Sequence, residues 1–367
     1  MKRVGFVINS RVPRMASLRM GMPPQGLLLG WDDRTSPMSF MRFHWIADEL
    51  RKSRAALYSI YQPWRSYDAV VFLKSMGPGC EALAEHLRGR GTRIVFEANV
   101  DYYTEFEGEA RMDLMAPGGE QRAAAARMTS GADAVIASSN RLAEVCARFQ
   151  SRCATVPDNV NLDLRPVGGR GEAFANGRLN VWWSGVAVKL FEFLAAERAF
   201  LRLADRVHLH LVTDSPDAMR QWRPEVRERF DAFLKRVPHT VHPFRGIPDL
   251  LSHYARGGVI VSPRYLDVPY NLSHTEWKIT LGMACGLPAV ASPVPSYLEA
   301  AQAAGEGAVT ICGNEDEWEA ALEGCLANPE GLRESGARAA EVVERVYSTP
   351  VVAERHLRTL ADLAVLA

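Results

Sequence analysis

Short apolar runs alternate with segments of helical periodicity along almost the whole chain. In the first half, apolar runs of strand length occur at 3–9, 67–74, 92–98 and 132–138. The segments between them, such as SFMRFHWIADELRK, place apolar residues at the spacing of an amphipathic helix. The runs are continuously apolar rather than alternating, which is typical of strands covered on both faces. The pattern predicts a doubly wound α/β domain built on a parallel sheet.

The alternation stops in a glycine-rich stretch and then restarts with LNVWWSG, VHLHLVT, GVIVSP and LPAVAS as the apolar runs. Glycine and proline are the strongest local breakers of regular structure. We therefore predict two Rossmann-like α/β domains with a cleft between them, at 1–165 and 179–347, joined by a linker at 166–178. The last segment, 348–367, is predicted to be an amphipathic helix and is a candidate to pack back on the first domain.

The composition is that of an ordinary globular protein. Of its 367 residues 47% are hydrophobic, and 43 basic side chains balance 43 acidic ones. This balance gives no signal for a nucleic-acid partner, and no apolar run reaches the roughly 18 residues of a membrane span. We expect a cytoplasmic protein with at most a peripheral membrane contact. The six cysteines contain no C-x-x-C pair, which argues against a zinc site and predicts free thiols.

One glycine motif is close to a dinucleotide fingerprint. Gly77-x-Gly79-x-x-Ala82 follows an apolar run, and Glu97 stands about twenty residues further on. Pro78 argues against this interpretation, because proline removes one of the N–H groups that a phosphate loop offers. The motif is better explained as a tight turn from a strand into a helix.

Two long stretches of the second half carry a more specific signal. They are GRLNVWWSGVAVKLFEFLAA and VIVSPRYLDVPYNLSHTEWKITLGMACGLPAVASPVPSYLE. They resemble the donor-binding half of GT-B glycosyltransferases, and most of all the bacterial retaining enzymes of glycosyltransferase family 4. RIVFEANVDYY and ADAVIASSNRLAEVCARF are similar to phrases in the first domain of that group. The resemblance covers nearly the whole chain, is strong at 255–300, and weakens before residue 38.

The resemblance implies a GT-B fold and transfer of a sugar from a nucleotide-sugar donor to an acceptor hydroxyl. It also implies retention of configuration, with no metal and no other cofactor. Cleavage of a sugar–phosphate bond develops negative charge on the departing nucleotide, which basic side chains and a helix N-terminus can stabilise. By similarity, the phosphate-binding set is Ser184, Gly185, Lys189 and Lys278. Each lysine is also explicable as a solvated surface residue of its helix.

The chain departs from the family at one motif. The family places one glutamate on the donor sugar and a second on the nucleotide ribose, and here these positions hold Ser273 and Leu281. Leucine accepts no hydrogen bonds, so the nucleotide must be held differently. Glu276 is a candidate substitute, while Asn271, Ser273 and His274 are candidates to contact sugar hydroxyls in the same loop.

The first domain contributes its own candidates. Asp101 and Tyr102 follow an apolar run in an acidic and aromatic segment, where open α/β sheets place ligands. Arg42 resembles an arginine near the same helix start in relatives, and both it and Tyr102 are predicted on the acceptor side. The predicted catalytic residues are Asp101, Glu276, Lys278 and Lys189.

The favoured function is therefore a glycosyltransferase of surface-polysaccharide or glycolipid assembly. Two alternatives remain open at this stage. The first is a sugar-nucleotide epimerase or hydrolase on the same fold, which needs an acid/base pair near the anomeric carbon. The second is an inactive sugar-binding or scaffold protein, which the leucine at position 281 favours.

Overall fold

Two β-sheets organise the chain, one in each half. The computed structural model describes residues 1–20, 37–105, 117–166, 171–215, 219 and 222–366. The first sheet has six strands in the order β2-β1-β3-β4-β5-β6, and the second has seven, in the order β10-β9-β8-β11-β12-β13 with β7 paired to β8. Every pairing is parallel except that of β7 with β8. The prediction of two parallel, doubly wound sheets is confirmed.

Six strands and six helices lie in the part of the first half that the structure describes. The strands are β1 Lys2–Ile8, β2 Ala56–Ile60, β3 Ala69–Leu73, β4 Arg93–Ala98, β5 Ala134–Ala137 and β6 Cys153–Thr155. The helices are α1 Arg14–Arg19, α2 Pro37–Ser39, α3 Trp45–Lys52, α4 Pro78–Arg88, α5 Gly119–Gly131 and α6 Asn140–Cys146. A π-helical turn, Phe40–His44, joins α2 to α3.

Within its described residues, the second half contains seven strands and nine helices. The strands are β7 Phe174–Ala175, β8 Arg178–Gly185, β9 Val207–Thr213, β10 His239–Pro243, β11 Val259–Ser262, β12 Ala289–Ala291 and β13 Val309–Ile311. The helices are α7 Glu197–Arg202, α8 Pro224–Arg236, α9 Ile247–Tyr254, α10 Pro269–Leu272, α11 Trp277–Ala284, α12 Pro295–Ala304, α13 Glu315–Ala327, α14 Pro329–Val342 and α15 Thr349–Asp362. A 3-10 segment, Ala187–Ala196, precedes α7, and a π-helical turn, Val343–Tyr347, follows α14.

The burial of the strands explains why the apolar runs are continuous. All five residues of β3 and all four of β5 and β11 are buried, because helices cover both faces of their sheets. Sequence patterning missed β2, whose alternating burial reflects a place at the edge of the sheet. It also missed the short β6 and β7, and β7 lies inside the predicted linker.

The C-terminal helix packs against the first half of the chain rather than the second. Val352, Ala353 and Leu360 of α15 are buried in the same apolar cluster as residues of β1, β3 and α3. The chain returns to the first half beside the segment along which it left, because Val160 N–H donates to Tyr347 O and Thr349 N–H donates to Val160 O. Two adjacent crossovers therefore connect the halves.

A buried polar network lies beneath these crossovers. Arg42 Nε donates to Glu97 Oε1 at 2.6 Å, and its Nη1 donates to Asp158 Oδ1 at 3.2 Å. His356 Nε2 of α15 lies 3.5 Å from the other oxygen of Glu97. Burial alone would raise the pKa of Glu97, but Arg42 and His356 overcome that effect and hold the pKa below its ordinary value. Charged groups thus fasten β4, the crossover and the last helix together.

The glycine motif at 77–82 forms the predicted strand-to-helix turn. Gly77 has a φ of 98°, a conformation that side chains rarely adopt, and Pro78 begins α4. Glu97 is occupied by Arg42, so it does not stand free to bind a ribose.

None of the helices in the described ranges combines the length and apolar character needed to cross a bilayer.

Candidate active site

A cleft between the carboxyl ends of the two sheets encloses a cavity of about 300 Å³. Open parallel sheets bind ligands at this edge because the strand ends leave loops and helix N-termini pointing into a crevice. The first half contributes Pro37, Met38, Met41, Lys74, Asn99, Val100 and Asp158 to the lining. The second half contributes Ser184, Gly185, Val186, Asp214, Phe244, Ile247, Leu250, Tyr270, His274, Thr275, Trp277 and Lys278.

Lys278 lies in the first turn of α11, and its amine is buried in the cleft. Its Nζ atom is buried and makes no hydrogen bond within the described ranges. The ammonium group lies 4.5 Å from the ring centroid of Trp183, which provides a cation–π contact. Burial lowers the pKa of Lys278 well below its ordinary value, and Arg264 and Lys189 lower it further. An anion bound here would relieve that penalty.

Gly185 ends β8 directly against this ammonium group. A Cβ atom built at position 185 would lie 2.6 Å from Lys278 Nζ and 2.9 Å from the ring of Trp183. Any side chain would therefore displace the lysine. Glycine at this position leaves both the backbone of the β8 loop and the lysine open to one ligand.

Lys189 lies behind the wall of the cavity rather than on its surface. Its ammonium group is 4.3 Å from the ring centroid of Tyr270, whose side chain lines the cavity. Burial, followed by the nearby Arg264, lowers the pKa of Lys189 to about 7. This lysine is therefore close to half-charged at neutral pH, and its charge responds to any anion brought near it.

Arg264 completes the group of cations and is the one member with a carboxylate partner. Its Nη1 donates to both oxygens of Glu192, at 3.0 and 2.9 Å, and both side chains are fully buried. Asn271 Oδ1 accepts a further bond from the same nitrogen at 3.3 Å. Glu192 is thus hydrogen-bonded by Arg264, and it raises the pKa of both lysines without a hydrogen bond to either within the described ranges.

A second part of the lining, at the ends of β8, β9 and β10 and the start of α9, is mostly apolar and is called the apolar end below. It contains Val186, Phe244, Ile247 and Leu250, and Asp214 is the carboxylate among these described residues. An elongated ligand with an anionic end and a flat, weakly polar end matches this division of the cleft.

The sequence of the second half matches a known family. Residues 174–328 fit the sequence model of the family described as Glycosyl transferases group 1. The match covers the second half only, and the two sheets with the cleft between them have the GT-B fold. The narrower assignment to glycosyltransferase family 4 stays a prediction.

Solved structures show the same fold over the length of the chain. The chain is similar to sucrose-phosphate synthase from Thermosynechococcus elongatus, with 15% identity, a TM-score of 0.64 and full coverage of both chains. It is also similar to HepE from Anabaena in complex with UDP and glucose, with 12% identity, a TM-score of 0.66, and coverage of 99% of this chain and 100% of that one. A glycosyltransferase from Rickettsia africae gives 12% identity, a TM-score of 0.61 and 99% coverage of both chains. At these identities the likeness establishes the fold alone. No curated protein sequence gives a significant match.

Four of the predicted site residues line the cavity: Ser184, Gly185, His274 and Lys278. Ser184 Oγ accepts a hydrogen bond from Tyr254 at 2.8 Å, which fixes the serine at the end of β8. His274 packs edge-on against Tyr270, at 5.1 Å between ring centroids. Burial and then the neighbouring cations lower the pKa of His274 well below its ordinary value, so the imidazole is neutral.

Asn271 and Ser273 lie in the same loop but outside the cavity lining. Asn271 is buried and holds Arg264 in place through its side-chain oxygen. Ser273 is also buried, and its carbonyl accepts a hydrogen bond from Ser139 of the first half at 2.9 Å. Asn271 thus positions Arg264, and Ser273 links the loop to the first half of the chain. Direct contact with sugar hydroxyls stays a prediction without support from this geometry.

Glu276 precedes α11 but does not line the cavity. Its side chain is buried, and its Oε1 has no hydrogen-bond partner within the described ranges. Burial, together with Asp158 and Glu299, raises the pKa of Glu276 to about 8. It is therefore a protonated acid near the crossovers, and the geometry does not place it for catalysis.

Asp101 and Tyr102 also lie outside the cavity lining. Asp101 Oδ1 accepts hydrogen bonds from Tyr103 N and Thr104 N at 2.9 Å each, which is a turn-forming role. Tyr102 is buried in an apolar cluster with Val100 and contacts Tyr270 of the second half. Both residues shape the loop beside the cleft.

Arg42 does not reach the cleft. Its side chain is fully buried and directed at Glu97, Asp158 and the carbonyl groups of Val156 and Pro157. The expectation of an acceptor-side arginine did not anticipate this burial.

Leu281 belongs to the core of the second half. It is 1% exposed and packs in one cluster with Trp182, Val212 and Leu250. This position therefore faces the sheet rather than a ribose, which explains why it tolerates an apolar side chain.

Sequence reasoning missed the lining residues that come from the first half, notably Lys74 and Asn99. Lys74 follows β3 with a φ of 50°, a conformation uncommon outside glycine, and its N–H donates to Glu97 O. Asn99 follows β4, and its buried Oδ1 has no partner within the described ranges. The sequence feature that could have identified both residues is that each directly follows an apolar strand.

Proposed function

We propose that the chain transfers a sugar from a nucleoside-diphosphate sugar to an acceptor hydroxyl, with retention and without a divalent metal. Sugar transfer from a nucleotide-sugar donor is the chemistry that the family match supports. HepE, which shares the fold, has been solved with UDP and glucose and with UDP-glucose. The choice of a diphosphate donor, the stereochemistry and the independence from metal are the parts that go beyond that match.

The observation that carries this proposal is the buried, unpaired ammonium group of Lys278 beside Gly185. A buried amine of this kind either loses its proton or has its charge compensated by the fold or by a ligand. Within the described ranges the fold provides an aromatic ring and no hydrogen-bond acceptor for this lysine, and Glu192, the carboxylate that raises its pKa, is hydrogen-bonded by Arg264. A diphosphate supplies the missing negative charge.

The same arrangement accounts for the chemistry. As the bond between the anomeric carbon and the phosphate oxygen lengthens, negative charge accumulates on the diphosphate. Lys278 stabilises that charge directly, and Lys189 strengthens the field from behind Tyr270. Groups that are fixed in position before the reaction stabilise the developing charge more than mobile water does, because they need not reorient.

The acceptor side of the proposed site is the first half of the chain. The cavity lining from this half includes Lys74, which follows β3, and Asn99 and Val100, which follow β4. Asn99 has a free side-chain oxygen for an acceptor or sugar hydroxyl. The acceptor is proposed to be a sugar or a lipid-linked sugar in surface-polysaccharide or glycolipid assembly, in the cytoplasm or at the inner face of the membrane.

A donor-hydrolysis screen tests the proposal. The full chain is incubated with UDP-, GDP-, dTDP- and CMP-sugars, with and without excess chelator, and release of the nucleotide is measured. We expect turnover of one nucleoside-diphosphate sugar that chelation leaves unchanged. Lack of turnover and of nucleotide binding across the panel would favour a scaffold protein, and release of a nucleotide only with added Mn²⁺ would contradict metal independence.

A further inference from the structure

The apolar end of the cleft is formed by three neighbouring strands that end at the same level. In the second sheet β9 lies between β10 and β8. Thr213 at the end of β9 is in register with Pro243 of β10 on one side and Gly185 of β8 on the other. The next residue of each strand is Phe244, Asp214 and Val186, respectively, and all three line the cavity.

We infer that Asp214 binds the ribose hydroxyls of the donor nucleotide and replaces the carboxylate that α11 lacks. The inference rests on the proposed function and specifies how its donor is held. It assigns the base to the side of Phe244 and the diphosphate to the side of Gly185 and Lys278, with the ribose between them.

The spacing of the strands supports this layout. Adjacent strands lie about 4.8 Å apart, so Phe244 and Gly185 are separated by about 10 Å across the sheet edge. That separation is comparable with the length of a nucleoside. The partly exposed ring of Phe244 offers a flat apolar face for a base, with Ile247 and Leu250 beside it.

The hydrogen bonds of Asp214 leave one carboxylate oxygen for a ligand. Its Oδ1 accepts from Ala187 N at 2.6 Å and from Thr213 Oγ1 at 3.2 Å, which holds the side chain between β8 and β9. Its Oδ2 accepts no hydrogen bond from the part of the chain that the structure describes. Vicinal hydroxyl groups are natural donors to a fixed carboxylate oxygen.

Leu281 makes the replacement necessary. Its side chain is buried in the cluster that contains Leu250, so α11 presents no acceptor to the ribose from that position. Among the described residues that line the cavity, Asp214 is the carboxylate beside Phe244 and Val186.

The variant Asp214→Asn separates ribose binding from the structural role of this residue. Asparagine keeps an oxygen for the N–H of Ala187 and replaces the second carboxylate oxygen with an amide. The melting temperature should therefore match that of the wild type. Asp205→Asn is the matched control, because Asp205 is exposed near the opposite end of β9.

Calorimetric titration of the full chain with UDP, GDP, ADP and CDP first identifies the tightest nucleoside diphosphate. The same base is then tested as its 2′,3′-dideoxynucleoside diphosphate. We expect Asp214→Asn to weaken the binding of the ribonucleotide by about tenfold and to change the affinity for the dideoxynucleotide by less than about twofold. The control should change neither.

Equal weakening of both nucleotides by Asp214→Asn would overturn the inference, since Asp214 would then act only by shaping the loop after β8. Unchanged affinity for both would overturn it as well. Failure of the wild type to bind any of the four diphosphates is a separate outcome, because it would remove the proposed function and the inference with it.

Discussion

Two buried cations of this protein, Arg42 and Lys278, are held in opposite ways. Arg42 is fully buried in the first half, where two carboxylates and two carbonyl groups accept its hydrogen bonds. The ammonium group of Lys278 is buried in the cleft, where the described part of the chain offers it an aromatic face and no acceptor.

The difference separates a structural charge from a functional one. Desolvating a charge is costly, so a cation paired within the fold contributes to holding elements together, and breaking the pair is strongly destabilising. A cation left without a partner is instead available to an incoming anion. The predictions below test whether the two residues follow this division.

The largest effect is expected from Arg42→Ala. The substitution leaves Glu97 and Asp158 buried without their cation, which should reduce the free energy of unfolding by about 3–5 kcal/mol. Chemical denaturation measures the change. Arg51→Ala is the control, because Arg51 forms an exposed pair with Asp48 and should cost less than about 1 kcal/mol. Equal stability of the two variants would mean that the buried network does not hold the first half together.

Lys278→Ala should act on turnover rather than on stability. Loss of the charge that faces the leaving diphosphate should reduce the rate of donor cleavage by roughly 10²–10³, as removal of an oxyanion donor does. The melting temperature should not fall, because the ammonium group has no partner within the described ranges.

Lys189→Ala should reduce turnover in the same direction. Near-normal rates in both lysine variants would remove the phosphate assignment.

Leu281→Glu sharpens the comparison by placing a new acid where the fold has no partner for it. Because Leu281 is 1% exposed in an apolar cluster, the variant should lose at least about 2 kcal/mol of stability and bind nucleotide more weakly. Leu281→Met, which conserves volume, should cost less than about 1.5 kcal/mol. Tighter nucleotide binding with an unchanged melting temperature would instead place the ribose against α11.

The pKa of Lys189 predicts opposite pH trends for stability and for affinity. Burial lowers this pKa to about 7 from 10.5, so the folded state without ligand binds fewer protons than the unfolded chain between these values. Stability of the free protein should therefore rise with pH through this range. A bound diphosphate favours the charged lysine, so its affinity should fall by up to about tenfold per pH unit above pH 7.

Titrations with UDP between pH 7 and 9.5, in buffers of different ionisation enthalpy, measure the protons taken up on binding. Lys189→Met should flatten both trends. If wild-type affinity did not change over this range, Lys189 would not be coupled to the ligand.

The smallest effect is expected from metal removal. If the lysines stabilise the leaving group, excess EDTA should leave the rate of donor cleavage within about twofold of its value without chelator. Loss of activity in EDTA that Mn²⁺ restores would show that the cations of the cleft are not sufficient.

The sequence determined the fold class because the signals for it are local. Continuous apolar runs separated by helical periodicity require strands covered on both faces, and β3, β5 and β11 are buried as this pattern predicts. The motifs around Gly185 and Lys278 were also visible locally, since each lies at the boundary between a strand or loop and the next helix.

Only the tertiary structure decided which polar residues share a site. Arg42 is structural because Glu97, 55 positions away, meets it in the interior. Lys74 and Asn99 line the same cavity as Lys278 because parallel strands bring their carboxyl ends to one edge of each sheet. Asp214 stands between Phe244 and Val186 through strand order and register. Side-chain chemistry can be identified one residue at a time, but burial and partnership arise from contacts between segments distant in the chain.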